Sequence, residues 1–291
     1  NKNVAAEVIG AVDYIICDID GVLRLNNVLI PGTSETIKKL RNKGKRIVFA
    51  TNNTATRNEI LVQLNELGFD SNIYEIMTSS FAAALYFKKL NLPGKTYIMG
   101  ENSIFEEFKN LGVATFGAGW KKPADLQDII DSVVDEEVNA VIIGYDFYAN
   151  YAKFVTACTY AKKCNNLWAT NCDKTFAPPK TGSFPVVVPG TGAFVSFVET
   201  ATELKAKFLG KPTTFFFECL KLLEPNLDQN RTLMIGDSLK TDIAFGNQNS
   251  FRYTCLVETG TDCCDDILNT NDPILVPSHY IRRLSDLNKY L

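Results

Sequence analysis

The chain has 291 residues, of which 46% are hydrophobic, so it can fill the core of one large domain or of two modest ones. Its 33 acidic and 30 basic residues give a formal net charge of -3 and are scattered along the sequence. Without a basic block or a run of about 18 apolar residues, we expect no nucleic-acid partner and no membrane partner. Because residues 1–10 also lack the pattern of a secretory signal, a cytoplasmic protein is predicted.

Cysteine and histidine usage narrows the possible chemistry. The eight cysteines contain no Cys-x-x-Cys pair, and several lie in apolar runs, which predicts reduced, mostly buried thiols. Only the adjacent Cys263 and Cys264 suggest redox sensing, and an ordinary polar loop is favoured there. A Ser-His-Asp triad, a phosphohistidine or a multi-histidine zinc site would have to use the single histidine, His279, and all three are disfavoured.

The first 67 residues alternate between short apolar runs and helical patterns. In chain order they predict a buried strand at 13–17, a helix that Thr33 or Ser34 caps and Gly44 ends, a strand at 47–50 and a helix at 58–67. The first strand stops abruptly at Asp18. This order is typical of strand, helix, strand units in a parallel sheet.

The C-terminal third repeats the alternation. It predicts a helix capped by Thr213 or Thr214 and ending at Leu223, a strand at 233–235, a helix from about Thr241 and a strand at 253–257. The predicted fold is therefore α/β, with a doubly wound parallel-sheet (Rossmann-like) core. Ligands of such sheets bind at the carboxyl ends of the strands, where Asp18, Thr51 and Asp237 fall.

The middle of the chain predicts a domain of its own. Strands at 97–99, 140–143 and 167–169 are separated by helical patterns, and residues with chemical potential lie on both sides of this stretch. We expect an inserted α/β cap domain at 81–184 between core segments 1–80 and 185–291. The polar residues 173–192 would form its return crossing, with a structural turn at Gly190 and Gly192.

Two pairs of acids follow core strands. Asp18 and Asp20 lie beyond the first strand, where Gly21 permits a tight turn, and Asp237 and Asp242 follow a later one. Clustered carboxylates repel in a partly buried cleft, and a hard divalent ion, above all Mg²⁺, offsets that repulsion. Each motif alone is also compatible with surface loop acids or with helix capping.

Two further segments suit the binding of an anion. Thr51, Asn52 and Asn53 offer a hydroxyl, amides and backbone N–H groups between a strand and a helix, and Lys211 precedes the stiff Pro212. A helix cap and a solvated lysine explain each one in isolation. Together, the four segments suit phosphoryl transfer, in which one acid attacks and another moves a proton; spacing does not decide which.

The four motifs, in this order, resemble the haloacid dehalogenase superfamily of aspartate-nucleophile phosphatases. They are Asp-Ile-Asp-Gly-Val at 18–22, Ala-Thr-Asn-Asn at 50–53, Gly-Lys-Pro at 210–212 and the segment at 236–242. Within it, the chain is similar to the phosphoglycolate phosphatase, 4-nitrophenylphosphatase and pyridoxal phosphatase group. Further matches lie at 78–80, 82–88, 169–171, 173, 189–192 and 259–260.

The resemblance implies a role for each motif. Asp18 would be the nucleophile and Asp20 the general acid and base. A Mg²⁺ site would use Asp18, the backbone carbonyl of Asp20 and Asp237, with support from Asp242. The phosphate-binding residues would be Thr51, Asn52, Asn53 and Lys211, and Lys211 would also neutralise the nucleophile. The inserted domain corresponds to the large cap that closes over such sites, selects the leaving group and commonly forms a homodimer.

One departure bears on the substrate. A histidine of the cap loop contacts the substrate in the pyridoxal phosphatase branch, and Phe176 stands at the matching position here. We therefore expect a small phosphorylated acid such as phosphoglycolate, with pyridoxal phosphate as the alternative. A phosphoacceptor signalling module or scaffold without turnover is the alternative from another class. A dehalogenase is disfavoured because it needs neither Asp20 nor a metal, and a dinucleotide-binding oxidoreductase is disfavoured because it needs a Gly-rich turn after its first strand.

Overall fold

The computed structural model describes residues 2–117, 119, 125–133, 137–176 and 186–291. They divide into two compact units. The core unit comprises Asn1–Thr51, Arg57–Met77 and Lys211–Leu291, and the inserted unit comprises Asn52–Thr56 and Thr78–Gly210.

The first part of the chain supplies half of the core sheet. Its elements are α1 (Lys2–Ala11), β1 (Tyr14–Cys17), β2 (Arg24–Leu25), β3 (Val28–Leu29), α2 (Thr33–Asn42), β4 (Arg46–Thr51), α3 (Arg57–Glu66) and β5 (Ile76–Thr78). The helix α2 begins after Gly32, whose φ of 82° is left-handed, and no side chain caps it. The predicted cap by Thr33 or Ser34 is therefore wrong; the Thr33 hydroxyl instead donates to the carbonyls of Leu23 and Ile30.

The inserted unit has a parallel sheet of its own. The elements are α4 (Ser79–Leu90), β6 (Lys95–Met99), α5 (Asn102–Asn110), β7 (Thr115–Phe116), α6 (Leu126–Ser132), β8 (Val138–Ile143), α7 (Tyr151–Cys164), β9 (Leu167–Ala169), β10 (Thr175–Phe176), β11 (Val188–Pro189), α8 (Thr191–Thr202) and β12 (Lys207–Phe208). Five strands pair in parallel in the order β12-β9-β8-β6-β7, and β10 pairs antiparallel with β11.

The C-terminal part completes the core unit. It contains α9 (Thr214–Leu223), β13 (Thr232–Gly236), α10 (Ala244–Gln248), β14 (Tyr253–Val257), α11 (Cys264–Asn269) and β15 (His279–Ile281), with a π-helical turn at Leu239–Ile243. The six-stranded sheet has the order β15-β14-β13-β1-β4-β5. Because β1 is central, Ile15, Ile16 and Cys17 are fully buried, which explains its continuous apolar run.

These sheets and their flanking helices confirm the predicted α/β class with an inserted α/β unit. The predicted domain boundary at 184 and 185 lies outside the described residues. The described residues 186–210 belong to the inserted unit, since β12 pairs with β9, so the chain returns to the core unit at Lys211 rather than within 173–192. Gly190 precedes α8 instead of forming a separate turn.

Two other properties of the described residues bear on the sequence-based expectations. No helix in them has both the length and the apolar character needed to cross a membrane. All eight cysteines are free thiols, and three of them, Cys17, Cys219 and Cys255, are buried.

Candidate active site

Asp18 and Asp237 lie together because their strands are neighbours. Residues of β1 pair in parallel with residues of β13, and the Asp18 N–H donates to the Ile235 carbonyl at 2.9 Å, one step past the paired strands. Each aspartate therefore follows its strand at the carboxyl edge of the sheet, where only 8% of Asp18 and 5% of Asp237 is exposed.

Asp242 joins them in a cluster of three carboxylates. One carboxylate oxygen from each of Asp18, Asp237 and Asp242 lies within 4.8 Å of the other two, and all three residues are buried. Carboxylate oxygens are the ligands that hard divalent cations prefer. Asp20, the fourth predicted member, is not part of this cluster.

Lys211 is the cation that contacts the cluster. Its Nζ donates to Asp18 Oδ1 at 2.8 Å, to Asp242 Oδ1 at 2.6 Å and to the Ala50 carbonyl at 2.7 Å. These contacts engage all three N–H donors of the ammonium group. The Lys211 side chain is thus fixed beside Asp18, and Lys211 is only 1% exposed.

Asp242 is held by the turn that follows β13. Its Oδ2 accepts the backbone N–H groups of Asp237 and Ser238, each at 3.1 Å. The close approach requires a glycine, since a Cβ at Gly236 would lie 2.1 Å from Asp242 Cβ. With Lys211 on Oδ1, this carboxylate has three donors and serves to orient the groups around it.

Two loops enclose the Asp237 side chain. Its Oδ2 accepts the Thr261 N–H at 2.7 Å. On another side lies Gly21, which has a left-handed φ of 87°, and a Cβ there would stand 2.3 Å from Asp237 Oδ2. The Thr259 hydroxyl donates to the Gly21 carbonyl and links the two loops. Gly21 thus permits both the turn and the approach of Asp237.

The cluster carries more negative than positive charge, and its pKa values reflect this. Burial raises the pKa of Asp237 to about 6, and the neighbouring Asp242 adds to the effect. Burial also raises the pKa of Asp18 well above its usual range, although Lys211 opposes the shift. For Lys211, the two aspartates outweigh desolvation and raise the pKa. The lysine therefore stays charged, but its one charge is shared.

Asp20 occupies a different position in the core unit. Its side chain is 46% exposed, and Oδ1 accepts from Arg24 Nε at 2.9 Å. Arg24 is buried, and its Nη1 donates to Gln63 Oε1 at 2.5 Å. The carboxylate that the resemblance assigns as general acid and base is thus partly exposed and held by a buried guanidinium.

The predicted phosphate-binding residues are divided between the units. Thr51 ends β4 in the core unit and is 3% exposed. Asn52 and Asn53 belong to the inserted unit. There Asn52 Nδ2 donates to Asp173 Oδ1 at 3.3 Å, and Asn53 Oδ1 accepts the Ala55 N–H at 2.8 Å, as in an Asx turn.

Three supporting residues had no role in the sequence-based prediction. They are Arg24, which pairs with Asp20; Thr261, which donates to Asp237; and Asn171, which donates to the Asn52 carbonyl at 3.0 Å. The sequence carried a signal for the last one, because Ala-Thr-Asn occurs at 50–52 and again at 169–171, at the carboxyl end of a strand each time. Backbone donors such as Thr261 leave no signal in side-chain identity.

Two family models match the chain. Residues 15–114 match the haloacid dehalogenase-like hydrolase model, and residues 208–287 match a second model of haloacid dehalogenase-like hydrolases. The matched segments contain Asp18 and Asp20 on one side and Lys211, Asp237 and Asp242 on the other.

Relatives with similar sequences span nearly the whole chain. A 4-nitrophenylphosphatase of Schizosaccharomyces pombe is 34% identical over 97% of this chain and 95% of its own. A glycerol-3-phosphate phosphatase of Mus musculus is 32% identical over 95% of this chain and 90% of its own. The chloroplastic phosphoglycolate phosphatase 1A of Arabidopsis thaliana is 33% identical over 97% of this chain and 78% of its own.

A solved structure agrees with these similarities. The hypothetical protein PH1952 from Pyrococcus horikoshii is 28% identical, covers 95% of this chain and 98% of its own, and superposes with a TM-score of 0.79. With the sequence relatives and the matched models, this similarity extends over both units. The chain therefore belongs to the haloacid dehalogenase-like hydrolase family, in the group whose relatives above are named as phosphatases.

Proposed function

We propose that this protein is a magnesium-dependent phosphatase that hydrolyses small phosphate monoesters through an aspartyl phosphate on Asp18. The observation that carries the proposal is the contact of Lys211 with both Asp18 and Asp242 beside Asp237, at the carboxyl edge of the core sheet. An attacking carboxylate needs a fixed position and a neighbouring positive charge, and this arrangement supplies both.

The donor set fits a bound divalent cation. Three buried carboxylates face one ammonium group, so an excess of negative charge remains that a hard cation would offset. Asp18 and Asp237 would hold Mg²⁺ with the backbone carbonyl of Asp20, while Asp242, whose oxygens already accept three N–H donors, would support them. When bound, Mg²⁺ supplies positive charge to the phosphate oxygens and lowers the barrier to attack by an anion.

The first half-reaction transfers the phosphoryl group. A carboxylate oxygen of Asp18 forms a bond to phosphorus as the bond from phosphorus to the ester oxygen breaks. Asp20 gives its proton to that leaving oxygen, and the alcohol departs. Lys211 keeps Asp18 oriented and offsets the negative charge of Asp18 and of the phosphate.

The second half-reaction restores the enzyme. Asp20, now a carboxylate, takes a proton from water as the water oxygen attacks phosphorus. The bond between phosphorus and the Asp18 oxygen breaks, which releases inorganic phosphate and free Asp18. The partial exposure of Asp20 suits this role because water can reach it. Thr51, Asn52 and Asn53 bind the phosphate oxygens in both steps.

For the substrate, we propose a small phosphorylated acid such as phosphoglycolate, with pyridoxal phosphate as the alternative. The relatives named above act, by name, on phosphoglycolate, glycerol 3-phosphate and 4-nitrophenyl phosphate, which supports small esters as a class. Phe176, which is 45% exposed, packs edge-to-face on Tyr145 with ring centroids 5.2 Å apart. It offers an apolar surface where the pyridoxal phosphatase branch has a histidine.

We also propose a cytoplasmic homodimer formed through the inserted unit. The eight free thiols suit a reducing compartment. Phe147, Tyr148 and Tyr151 of the inserted unit are 65–69% exposed, and solvent-exposed aromatic side chains in one segment favour a protein interface. Light scattering on the purified chain, and on a Phe147→Ser/Tyr148→Ser variant, tests this part separately from catalysis.

The experiment for the function is phosphate release from a panel of esters, measured with Mg²⁺ and with EDTA. The panel contains phosphoglycolate, glycerol 3-phosphate, pyridoxal phosphate, 4-nitrophenyl phosphate and a phosphopeptide. We expect metal-dependent turnover of the small esters, led by phosphoglycolate, and none from Asp18→Asn prepared in parallel. Equal turnover by Asp18→Asn would contradict the mechanism, and no release by folded wild type would favour a phosphoacceptor or scaffold.

A further inference from the structure

The loop at Asn52–Thr56 of the inserted unit has its carbonyl groups held by distant side chains. The Asn52 carbonyl accepts from Ser79 Oγ at 2.7 Å and from Asn171 Nδ2 at 3.0 Å. A carbonyl oxygen has two lone pairs, so both acceptor positions are occupied. One donor, Ser79, lies at the start of α4, 27 residues after Asn52. The other, Asn171, lies just beyond β9, 119 residues after Asn52.

The next carbonyls of the loop are held in the same way. The Asn53 carbonyl accepts from Ser79 Oγ at 3.1 Å and from the Ser79 N–H at 3.2 Å. The Ala55 carbonyl accepts from Ser80 Oγ at 2.9 Å. Both serines are fully buried, so water does not compete for these hydrogen bonds.

Holding a carbonyl also fixes the direction of an N–H group. A peptide unit is planar and trans, so its N–H points away from its C=O. The contacts on the Asn52 carbonyl therefore set the direction of the Asn53 N–H, and those on the Asn53 carbonyl set the direction of the Thr54 N–H. Successive backbone N–H groups in a turn can form an anion-binding concavity.

Asn171 is itself held in place. It is 4% exposed, and its Oδ1 accepts the Asp173 N–H at 3.2 Å. Asp173 in turn accepts from Asn52 Nδ2, which closes a ring of contacts between the loop and the end of β9. The packing leaves no space nearby, because a Cβ at Gly210 would lie 2.6 Å from Asn52 Oδ1.

We infer that Asn171 and Ser79 are positioning residues for phosphate binding, which aim the N–H groups of Asn53 and Thr54 at the phosphoryl oxygens by holding the carbonyls on the other side of each peptide. This inference rests on the proposed function. It also gives the second Ala-Thr-Asn segment a role: Asn171, in the inserted unit, supports the first such segment without touching the substrate.

The test measures the binding of inorganic phosphate by calorimetry in the presence of Mg²⁺. We expect Asn171→Ala and Ser79→Ala each to bind phosphate about fivefold more weakly than wild type, as for the loss of one buried hydrogen bond. The KM of every ester in the panel should rise by the same factor, because the phosphate is the part that the esters share. A role in recognising the leaving group would instead shift the esters unequally.

Asn166→Ala is the matched control. Asn166 lies just before β9, whereas Asn171 lies just after it. The Asn166 Nδ2 donates to the Asn139 carbonyl at 2.9 Å, which is the same kind of hydrogen bond at the other end of the strand. Its variant should bind phosphate like wild type. If Asn171→Ala fails to fold, Ser79→Ala carries the test, since it removes the other donor to the same carbonyl.

The possible results separate the two proposals. Weaker phosphate binding in Asn171→Ala or Ser79→Ala, with Asn166→Ala unchanged, supports the inference. Wild-type affinity in both variants, or a KM change that depends on the leaving group, overturns it while the proposed function stands. A wild-type protein that neither hydrolyses esters nor binds phosphate overturns the proposed function, and this inference with it.

Discussion

Asp242 and Lys211 form a buried ion pair in which Oδ1 lies 2.6 Å from Nζ, and neither side chain is more than 2% exposed. Asp242 has N–H donors on both of its carboxylate oxygens. The negative charges of Asp18 and Asp237 are offset by the Lys211 charge, which Asp242 also shares. The three carboxylates should therefore respond differently to the loss of their charge.

The substitution Asp242→Asn should destabilise the protein. The amide replaces one acceptor with a donor, so it opposes either the Lys211 ammonium or the two backbone N–H groups. Breaking a buried pair in this way costs about 3 kcal/mol or more. Urea denaturation in EDTA should show a loss of that size in the free energy of unfolding, together with a loss of turnover.

A surface ion pair gives the comparison for Asp242→Asn. Asp13 pairs with Arg231, and about half of each side chain is exposed. Asp13→Asn should cost less than about 1 kcal/mol by the same measurement. Equal losses in the two variants would mean that the buried Asp242–Lys211 pair contributes no more to stability than a surface ion pair.

The substitution Asp18→Asn should have the opposite effect on stability. It removes a buried charge from a site with more carboxylates than cations, and the amide oxygen can still accept from Lys211. In EDTA we expect a free energy of unfolding equal to that of wild type or up to about 2 kcal/mol higher, while turnover disappears. Destabilisation by more than about 1 kcal/mol would show that the Asp18 charge supports the fold.

The raised pKa of Asp237 predicts a dependence of stability on pH in the metal-free protein. The folded pKa is about 6 against an ordinary value of 3.8, so the folded state holds its proton more tightly than the unfolded state does. The stabilising contribution is complete below about pH 4 and is lost as pH rises through 6. It amounts to about 3 kcal/mol at most.

Asp237→Asn isolates this contribution. Denaturation of both proteins in EDTA between pH 4 and 7 should show a steeper fall for wild type than for the variant. Excess Mg²⁺ should reduce the difference near pH 7, because the bound cation would favour the carboxylate form. Parallel pH profiles in EDTA would contradict the assigned shift.

Phe176→His tests the proposed substrate preference. We expect the ratio of kcat/KM for pyridoxal phosphate to that for phosphoglycolate to rise about tenfold, since histidine adds a hydrogen-bonding group where Phe176 has none. Phe197→His is the matched control: Phe197 is 46% exposed and also packs on an aromatic ring of the inserted unit. An unchanged ratio in Phe176→His would mean that this position does not select the substrate.

Much of the core sheet could be predicted from the sequence because its strands are buried on both faces. The run at β1 is continuously apolar and those at β13 and β14 are mostly apolar, and all three strands lie close to the predicted positions. The predicted helix at Thr241 begins instead with a π-helical turn, in which Asp242 folds back onto the Asp237 and Ser238 N–H groups. A side chain that bonds to the backbone in this way cannot be read from hydrophobic periodicity.

The candidate site was predictable only as a set of residues at strand ends. Strand order explains why Asp18 and Asp237 lie together, because parallel neighbours end at the same edge. The pairing of Asp20 with Arg24 was not predicted, since nothing in the sequence shows that Arg24 is buried. The contact of Asn171 with Asn52 spans 119 residues and needs the folded inserted unit.

The layout of the core sheet also has a consequence for the order of folding during synthesis. Its central strand β1 pairs with β13, so that Tyr14 lies beside Thr232, and this pairing cannot form until most of the chain has left the ribosome. The inserted unit draws nearly all of its residues from one continuous segment, Thr78–Gly210. We expect it to fold first, and the N-terminal strands to complete the core sheet only after β13 has been synthesised.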